Sequence, residues 1–248
     1  MLSDHEVARS LAAEAADLLL EIRRGLGAPD ADAGEVKDEG DRRSHQLLTR
    51  RLGELRPDDA VLSEEGIPSD DRLTRERLWI VDPLDGTREF GEAGRTDWAV
   101  HVALAVAGTP AAGAVALPGL SLVLATDPVP RVPPAADGPP RLVVSRTRPP
   151  AVALELAEAL GAELVEMGSA GAKAMAVVRG EADVYAHGGG QYEWDSCAPV
   201  AVAAAAGLHV SRLDGAPLRY NRPDPWLPDL VICRPELAEQ VLEVTAAR

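Results

Sequence analysis

A chain of 248 residues with 46% apolar composition is long enough to bury the core of one large domain or of two closely packed ones. Its formal charge of -15 excludes a duplex nucleic-acid partner, which needs a basic face, while leaving room for a small anion held through bound cations. Cys197 and Cys233 form no Cys-x-x-Cys pair and join no His-rich cluster, which excludes a structural zinc site and a disulfide framework.

Residues Met1 to Ala12 lack the basic patch and apolar core of a secretory signal, so a cytoplasmic protein with reduced thiols is expected. From Glu6 to Arg24 apolar residues recur at helical spacing through Val7, Leu11, Ala15, Leu18, Leu19 and Ile22, and Gly25 supplies a stop. A polar stretch, Ala28 to Gly40, precedes a second helical pattern from Arg42 to Leu55. Ala60 to Leu62 and Leu78 to Val81 read as strands that deliver carboxylates at their C-terminal ends. Trp98 to Thr126 is very apolar, but Gly108-Thr109-Pro110 and Pro118-Gly119 interrupt it, so three hairpin-connected strands are expected and no membrane span.

The proline-rich segment Pro128 to Pro140 reads as a linker. It divides the chain into an N-terminal α+β lobe, residues 1–130, and a C-terminal α/β lobe, residues 141–248. In the second half strand and helix patterns alternate: Leu142 to Ser145, Ala151 to Leu160, Ala162 to Glu166, Ala170 to Val178, Val184 to His187 and Ser196 to Ala206.

Three acidic segments stand out. Glu64-Glu65 follows the first short strand, where a solvated loop is the ordinary alternative. In Asp82-Pro83-Leu84-Asp85-Gly86-Thr87 a buried strand runs into two aspartates separated by a rigid step. Pro83 restricts its own backbone and that of Asp82, so the two carboxylates can face one point, and oxygen ligands suit Mg²⁺ or Mn²⁺. Gly86 and Thr87 open a short helix whose free N–H groups can take a phosphate. Asp195, in Trp194-Asp195-Ser196, either caps the following helix or points into a site.

Together these segments resemble the inositol monophosphatase superfamily of lithium-sensitive phosphatases, in order and approximate spacing and over nearly the whole chain. Gly168-Ser169-Ala170-Gly171, Thr87-Arg88-Glu89-Phe90 and the segment Asp214 to Asn221 look most like its CysQ branch, the 3'(2'),5'-bisphosphate nucleotidases. The resemblance implies a sugar-phosphatase-like αβαβα sandwich with two lobes. It also implies Mg²⁺-dependent hydrolysis of 3'-phosphoadenosine 5'-phosphate to AMP and phosphate, a role in sulfur metabolism and an association into homodimers. Inositol monophosphate or fructose 1,6-bisphosphate as substrate, or metal-dependent binding without turnover, are the competing readings.

By the same resemblance two or three ions rest on Glu65, Asp82, the Leu84 carbonyl, Asp85 and Asp195. Asp41 pairs with Thr87 to orient the attacking water, with Asp38 as competitor, and Glu65 joins them in catalysis. Gly86, Thr87, Arg88, Ser169, Ala170, Gly171, Lys173, Arg219, Tyr220 and Asn221 are implied around the substrate, Lys173 being either a phosphate contact or an exposed helix residue. His101, His187 and His209 stand in apolar surroundings at no metal-ligand spacing, so packing roles are expected for them.

Overall fold

Residues 2–27 and 32–246 are described by the computed structural model. Ser3 opens α1 (Asp4–Arg23): its hydroxyl accepts from the Glu6 amide while the Glu6 carboxylate accepts from the Ser3 amide, which satisfies two free N–H groups of the first turn. The Asp32 carboxylate caps α2 (Ala33–Leu55) in the same sense, accepting from Gly34 and Glu35.

Helix α2 starts well before Arg42, where the apolar pattern places it. Residues 28–31 of the expected polar stretch lie outside the described residues, and the rest of that stretch from Ala33 is helix. Tertiary packing provides what the pattern lacks. Gly40 lets α2 approach so closely that a Cβ there would stand 2.9 Å from the Phe90 ring.

The next elements are β1 (Ala60–Ser63), β2 (Arg77–Asp85), the single turn α3 (Thr87–Phe90), β3 (Ala99–Val106), β4 (Thr109–Leu117) and β5 (Leu122–Ala125). They form a five-stranded sheet in sequence order, parallel between β1 and β2 and antiparallel thereafter. Three strands joined by short turns are what the interrupted apolar run predicted.

Beyond the proline-rich stretch come β6 (Arg141–Ser145), α4 (Ala151–Leu160), β7 (Glu163–Met167), α5 (Ala170–Val178), β8 (Val184–Tyr192), α6 (Glu193–Ala205), β9 (His209–Ser211), β10 (Trp226–Cys233) and α7 (Ala238–Thr245). The second sheet runs β7-β6-β8-β10-β9, with β6 parallel to both its neighbours and β10 antiparallel to both of its own.

Three apolar cores stack the layers. Leu11, Leu19 and Leu48 of α1 and α2 meet Trp79, Val81 and Val100 on one face of the first sheet. Leu78, Ile80 and Val115 on its other face meet Met175 and Val177 of α5, Cys197 and Val202 of α6, and Tyr185 and Ile232 of the second sheet. Leu156 and Val241 of α4 and α7 cover the far side, over Leu142, Val184 and Val231. The result is the expected αβαβα sandwich. Along β2 the side chains alternate between two cores, which explains why the strand reads as one continuous apolar run. Each fully buried Leu there contributes roughly 1.5–3 kcal/mol.

Candidate active site

Strand β2 pairs with β3 as far as Asp82 opposite His101, breaks register, and resumes at Asp85 opposite Ala99. Pro83, which has no N–H to give to the ladder, sits in the break. Two bonds hold the irregular backbone: Leu84 N donates to Asp82 Oδ1 at 3.0 Å, and Ser44 Oγ of α2 donates to the Pro83 carbonyl at 2.8 Å. Gly86 then turns the chain at φ +86°, where a Cβ would also meet the Ser169 side chain at 2.9 Å.

Asp195 reaches the same point from α6. It stands at the third helical position, because the helix starts three residues before the Ser196 that the sequence pattern indicates, and its Oδ2 accepts from Tyr192 N at 2.6 Å. One oxygen each of Asp82, Asp85 and Asp195 lie within 4.8 Å of one another.

So many carboxylates strain the electrostatics. Asp82 is buried and its Oδ2 has no hydrogen-bond partner. Burial, with the charges of Glu64, Asp85 and Asp195, pushes its pKa well above the usual carboxylate range. Burial and Asp85 raise Asp195 to about 6, and burial with Asp195 and Asp85 raises Glu64 to about 7. Asp85 is the exception. Burial raises it too, but the His101 ring, with Nε2 3.2 Å from Oδ2, the Gly171 amide at 2.6 Å and Lys173 bring it to about 2. A Cβ on Gly171 would run into the His101 ring, so the close approach of α5 requires glycine. An orphaned carboxylate oxygen amid three more acids is a donor set that fits a hard divalent cation such as Mg²⁺ or Mn²⁺.

Of the adjacent glutamates, it is Glu64 that stands among the aspartates, its carboxylate feeling Asp82, Asp85 and Asp195. Glu65, expected among the metal ligands, stands instead against Asp41. Neighbouring side chains at a strand end point different ways, and the dipeptide carries no signal for which turns inward. Asp41 lies on α2 with its carboxylate beside Thr87, whose hydroxyl donates to the Leu84 carbonyl at 3.2 Å. Burial first, then the charges of Glu65 and Asp38, raise Asp41 to about 7. Between Asp38 and Asp41, the structure brings Asp41 to Thr87.

A cavity of about 770 Å³ opens over the cluster. Asp85, Gly86, Thr87, Arg88, Ser169, Ala170, Lys173 and Asp195 line it, with Arg146, Arg148 and the glycine run 188–190 on the far wall. Lys173 is not an exposed helix residue: it is buried, and its Nζ donates to the Gly168 and Ser169 carbonyls beneath the cavity.

Arg219, Tyr220 and Asn221 do not reach this cavity. Arg219 bonds Thr109 at 2.6 Å, the Tyr220 hydroxyl is buried 3.3 Å from Ser196 Oγ, and the Asn221 amide holds the Arg72 carbonyl at 3.0 Å. Glu193 fixes that loop by accepting from the Asn221 and Arg222 amides, both at 2.8 Å. These residues are polar because they tie the loop down. His101 is buried as expected, and His209 bonds Ser211 at 2.9 Å, whereas His187 lines the cavity and is not simply packing. Sequence reasoning missed Glu64, Arg146, Arg148 and Gln191, of which only Glu64 lay within a recognised motif.

The family model for the inositol monophosphatase family matches residues 3–127 and 142–247. A 3'-phosphoadenosine 5'-phosphate phosphatase of Mycobacterium leprae is 50% identical, over 98% of this chain and 93% of its own. The 3'(2'),5'-bisphosphate nucleotidase CysQ of Escherichia coli K12 is 32% identical, over 88% of this chain and 94% of its own. Among solved structures, CysQ of Bacteroides thetaiotaomicron, of the same family, superposes with a TM-score of 0.76 at 27% identity, covering 92% of this chain and 96% of that one.

Proposed function

Because this chain belongs to the inositol monophosphatase family, we propose that it is a Mg²⁺-dependent phosphatase that takes the 3'-phosphate from 3'-phosphoadenosine 5'-phosphate, releasing AMP and phosphate. The observation that carries the reading is the mixed charge of the cavity lining. In a chain of net charge -15, one cavity holds the acidic cluster at its floor and Arg88, Arg148 and Lys173 around it. A substrate with one phosphate over bound metal and a second phosphate among cations matches that distribution.

Glu64, Asp82, Asp85 and Asp195, with the Leu84 carbonyl beside them, would hold the cation. Bound Mg²⁺ supplies charge that stabilises the transferring phosphoryl group and its leaving oxygen and makes water more acidic. Asp41, raised to about 7, suits the acceptance of a proton from the attacking water near neutral pH, and Thr87 fixes its orientation. Glu65 keeps that pKa high through its charge. The Gly86 and Thr87 amides, with Ser169 and Ala170 at the start of α5, would bound the space where the phosphate sits, whereas Gly171 lies behind them with its amide on Asp85. The buried, unpaired cysteines suit work in the reducing cytoplasm.

The test is phosphate release from 3'-phosphoadenosine 5'-phosphate, inositol 1-phosphate and fructose 1,6-bisphosphate, each with Mg²⁺ and with chelator, compared by kcat/KM. Magnesium-dependent preference for the nucleotide is expected. Preference for inositol or sugar phosphate would overturn the substrate, and metal binding without turnover would overturn the activity.

A further inference from the structure

The turn that carries Thr87 is too short to hold itself. Helix α3 is closed by Phe90 N donating to the Gly86 carbonyl at 2.9 Å and Gly91 N to the Thr87 carbonyl at 3.2 Å, and a single turn does not repay the ordering of its backbone. The carbonyls at its C-terminal end lack the donors that a further turn would bring. Arg23, the last residue of α1, supplies them: its Nε donates to the Phe90 carbonyl at 3.0 Å, and its Nη2 to those of Glu92 at 2.7 Å and Glu89 at 3.3 Å.

The grip has a firm seat. The Arg23 guanidinium lies 5.1 Å from the centre of the Trp98 ring and 5.9 Å from that of Phe90, two buried rings that meet edge to face at 5.0 Å. Trp98 also backs the start of the turn, since a Cβ on Gly86 would stand 3.3 Å from Trp98 Cα. Behind Arg23 stands a 20-residue helix whose Val7, Leu11 and Leu19 are fully buried. From the cavity wall Arg146 takes the carboxylates of Glu89 and Glu92, both at 2.6 Å, but it holds side chains, whereas Arg23 holds the backbone itself. At the other end of the turn the Thr87 hydroxyl donates to the Leu84 carbonyl with Asp41 beside it.

We infer that Arg23, which does not line the cavity, is a positioning residue for the reaction: it acts through Thr87, by fixing the single turn that sets the Thr87 hydroxyl beside Asp41. This rests on the reading above, in which Asp41 and Thr87 handle the attacking water. None of the proposed cation ligands lies on the turn, so loosening it should slow the chemistry without releasing the cation. A small displacement of a group that orients a nucleophile is enough to do so.

The experiment is a double-mutant cycle on the full chain with Mg²⁺ and 3'-phosphoadenosine 5'-phosphate, joining Arg23→Ala, Thr87→Ala and the two together, with peptide-resolved hydrogen exchange of each protein. Arg23→Ala should lower kcat by about 10–10²-fold at near wild-type KM and Mg²⁺ affinity, and should cost almost nothing further once Thr87 is Ala. Exchange should quicken over residues 86–92 and stay as in the wild type elsewhere. Arg23→Lys, which keeps a cation on the rings and a donor to the carbonyls, should fold and lose less. An unchanged kcat, an equal loss in both backgrounds, or faster exchange throughout the chain with a matching fall in Mg²⁺ affinity would overturn the inference and leave the Thr87 reading standing. Wild-type kcat in Thr87→Ala, or a wild type without turnover, would overturn that reading and the inference with it.

Discussion

His101 Nε2 lies 3.2 Å from Asp85 Oδ2, both groups being buried where β3 meets the end of β2. The Nδ1 of the same ring is 2.9 Å from the Trp194 carbonyl. A ring with a carbonyl against one nitrogen and a carboxylate facing the other is favoured in its protonated form. Accordingly, although burial pulls the His101 pKa down, Asp85 and the Trp194 carbonyl raise it above its ordinary value. The pair keeps Asp85 ionised and ties β3, α6 and the acidic cluster into one frame.

Replacing His101 by Leu should therefore weaken Mg²⁺ binding by roughly 10–100-fold, the usual cost of losing the partner that orients a metal-ligating carboxylate. Calorimetric titration of the chelator-treated protein measures it. Unaltered affinity would show that the ring only fills space.

The two glutamates at residues 64 and 65 should separate in function. Glu64→Gln should raise the Mg²⁺ concentration needed for half-maximal activity much more than Glu65→Gln, since Glu64 stands among the three aspartates whereas Glu65 faces Asp41. The reverse order would restore Glu65 as the ligand.

Asp41→Asn and Thr87→Ala should each lower kcat by about 10²–10⁴-fold while leaving Mg²⁺ affinity near that of the wild type. A base acts when deprotonated, so kcat/KM should rise with pH through a limb at or below about 7, the cation's charge shifting it downward. In Asp41→Asn that limb should vanish from the residual activity. Its persistence would assign it to another group.

Stability without metal should fall as pH rises. Unfolded, Asp195 and Glu64 titrate near 3.8 and 4.5; folded, they titrate at about 6 and about 7. Across that window the folded state holds more protons than the unfolded one, so raising the pH removes stability. Mg²⁺ offsets the exposed repulsion and binds only the folded protein. The rise in Tm on adding saturating Mg²⁺ should be larger at pH 8 than at pH 5.5. Equal rises at the two pH values would mean that these acids do not form the cation site.

What the sequence determined by itself was the chemistry that local covalent rules enforce. An apolar strand ending in Asp82-Pro83-Leu84-Asp85 puts two carboxylates on one irregular turn, because proline must interrupt the ladder there. Alternating apolar runs likewise dictated strands buried on both faces, and with them the layered architecture. The tertiary structure decided whatever depended on direction or distance. It turned Glu64 rather than Glu65 toward the aspartates, because adjacent side chains diverge, and it made residues before Arg42 helical because Gly40 could close onto Phe90. It used Tyr220 and Asn221 to fasten a loop where motif context suggested substrate contact, and it left the buried amide oxygen of Gln191 unpaired. Hydrogen-bond satisfaction is a property of three-dimensional neighbours, so no one-dimensional pattern contains it.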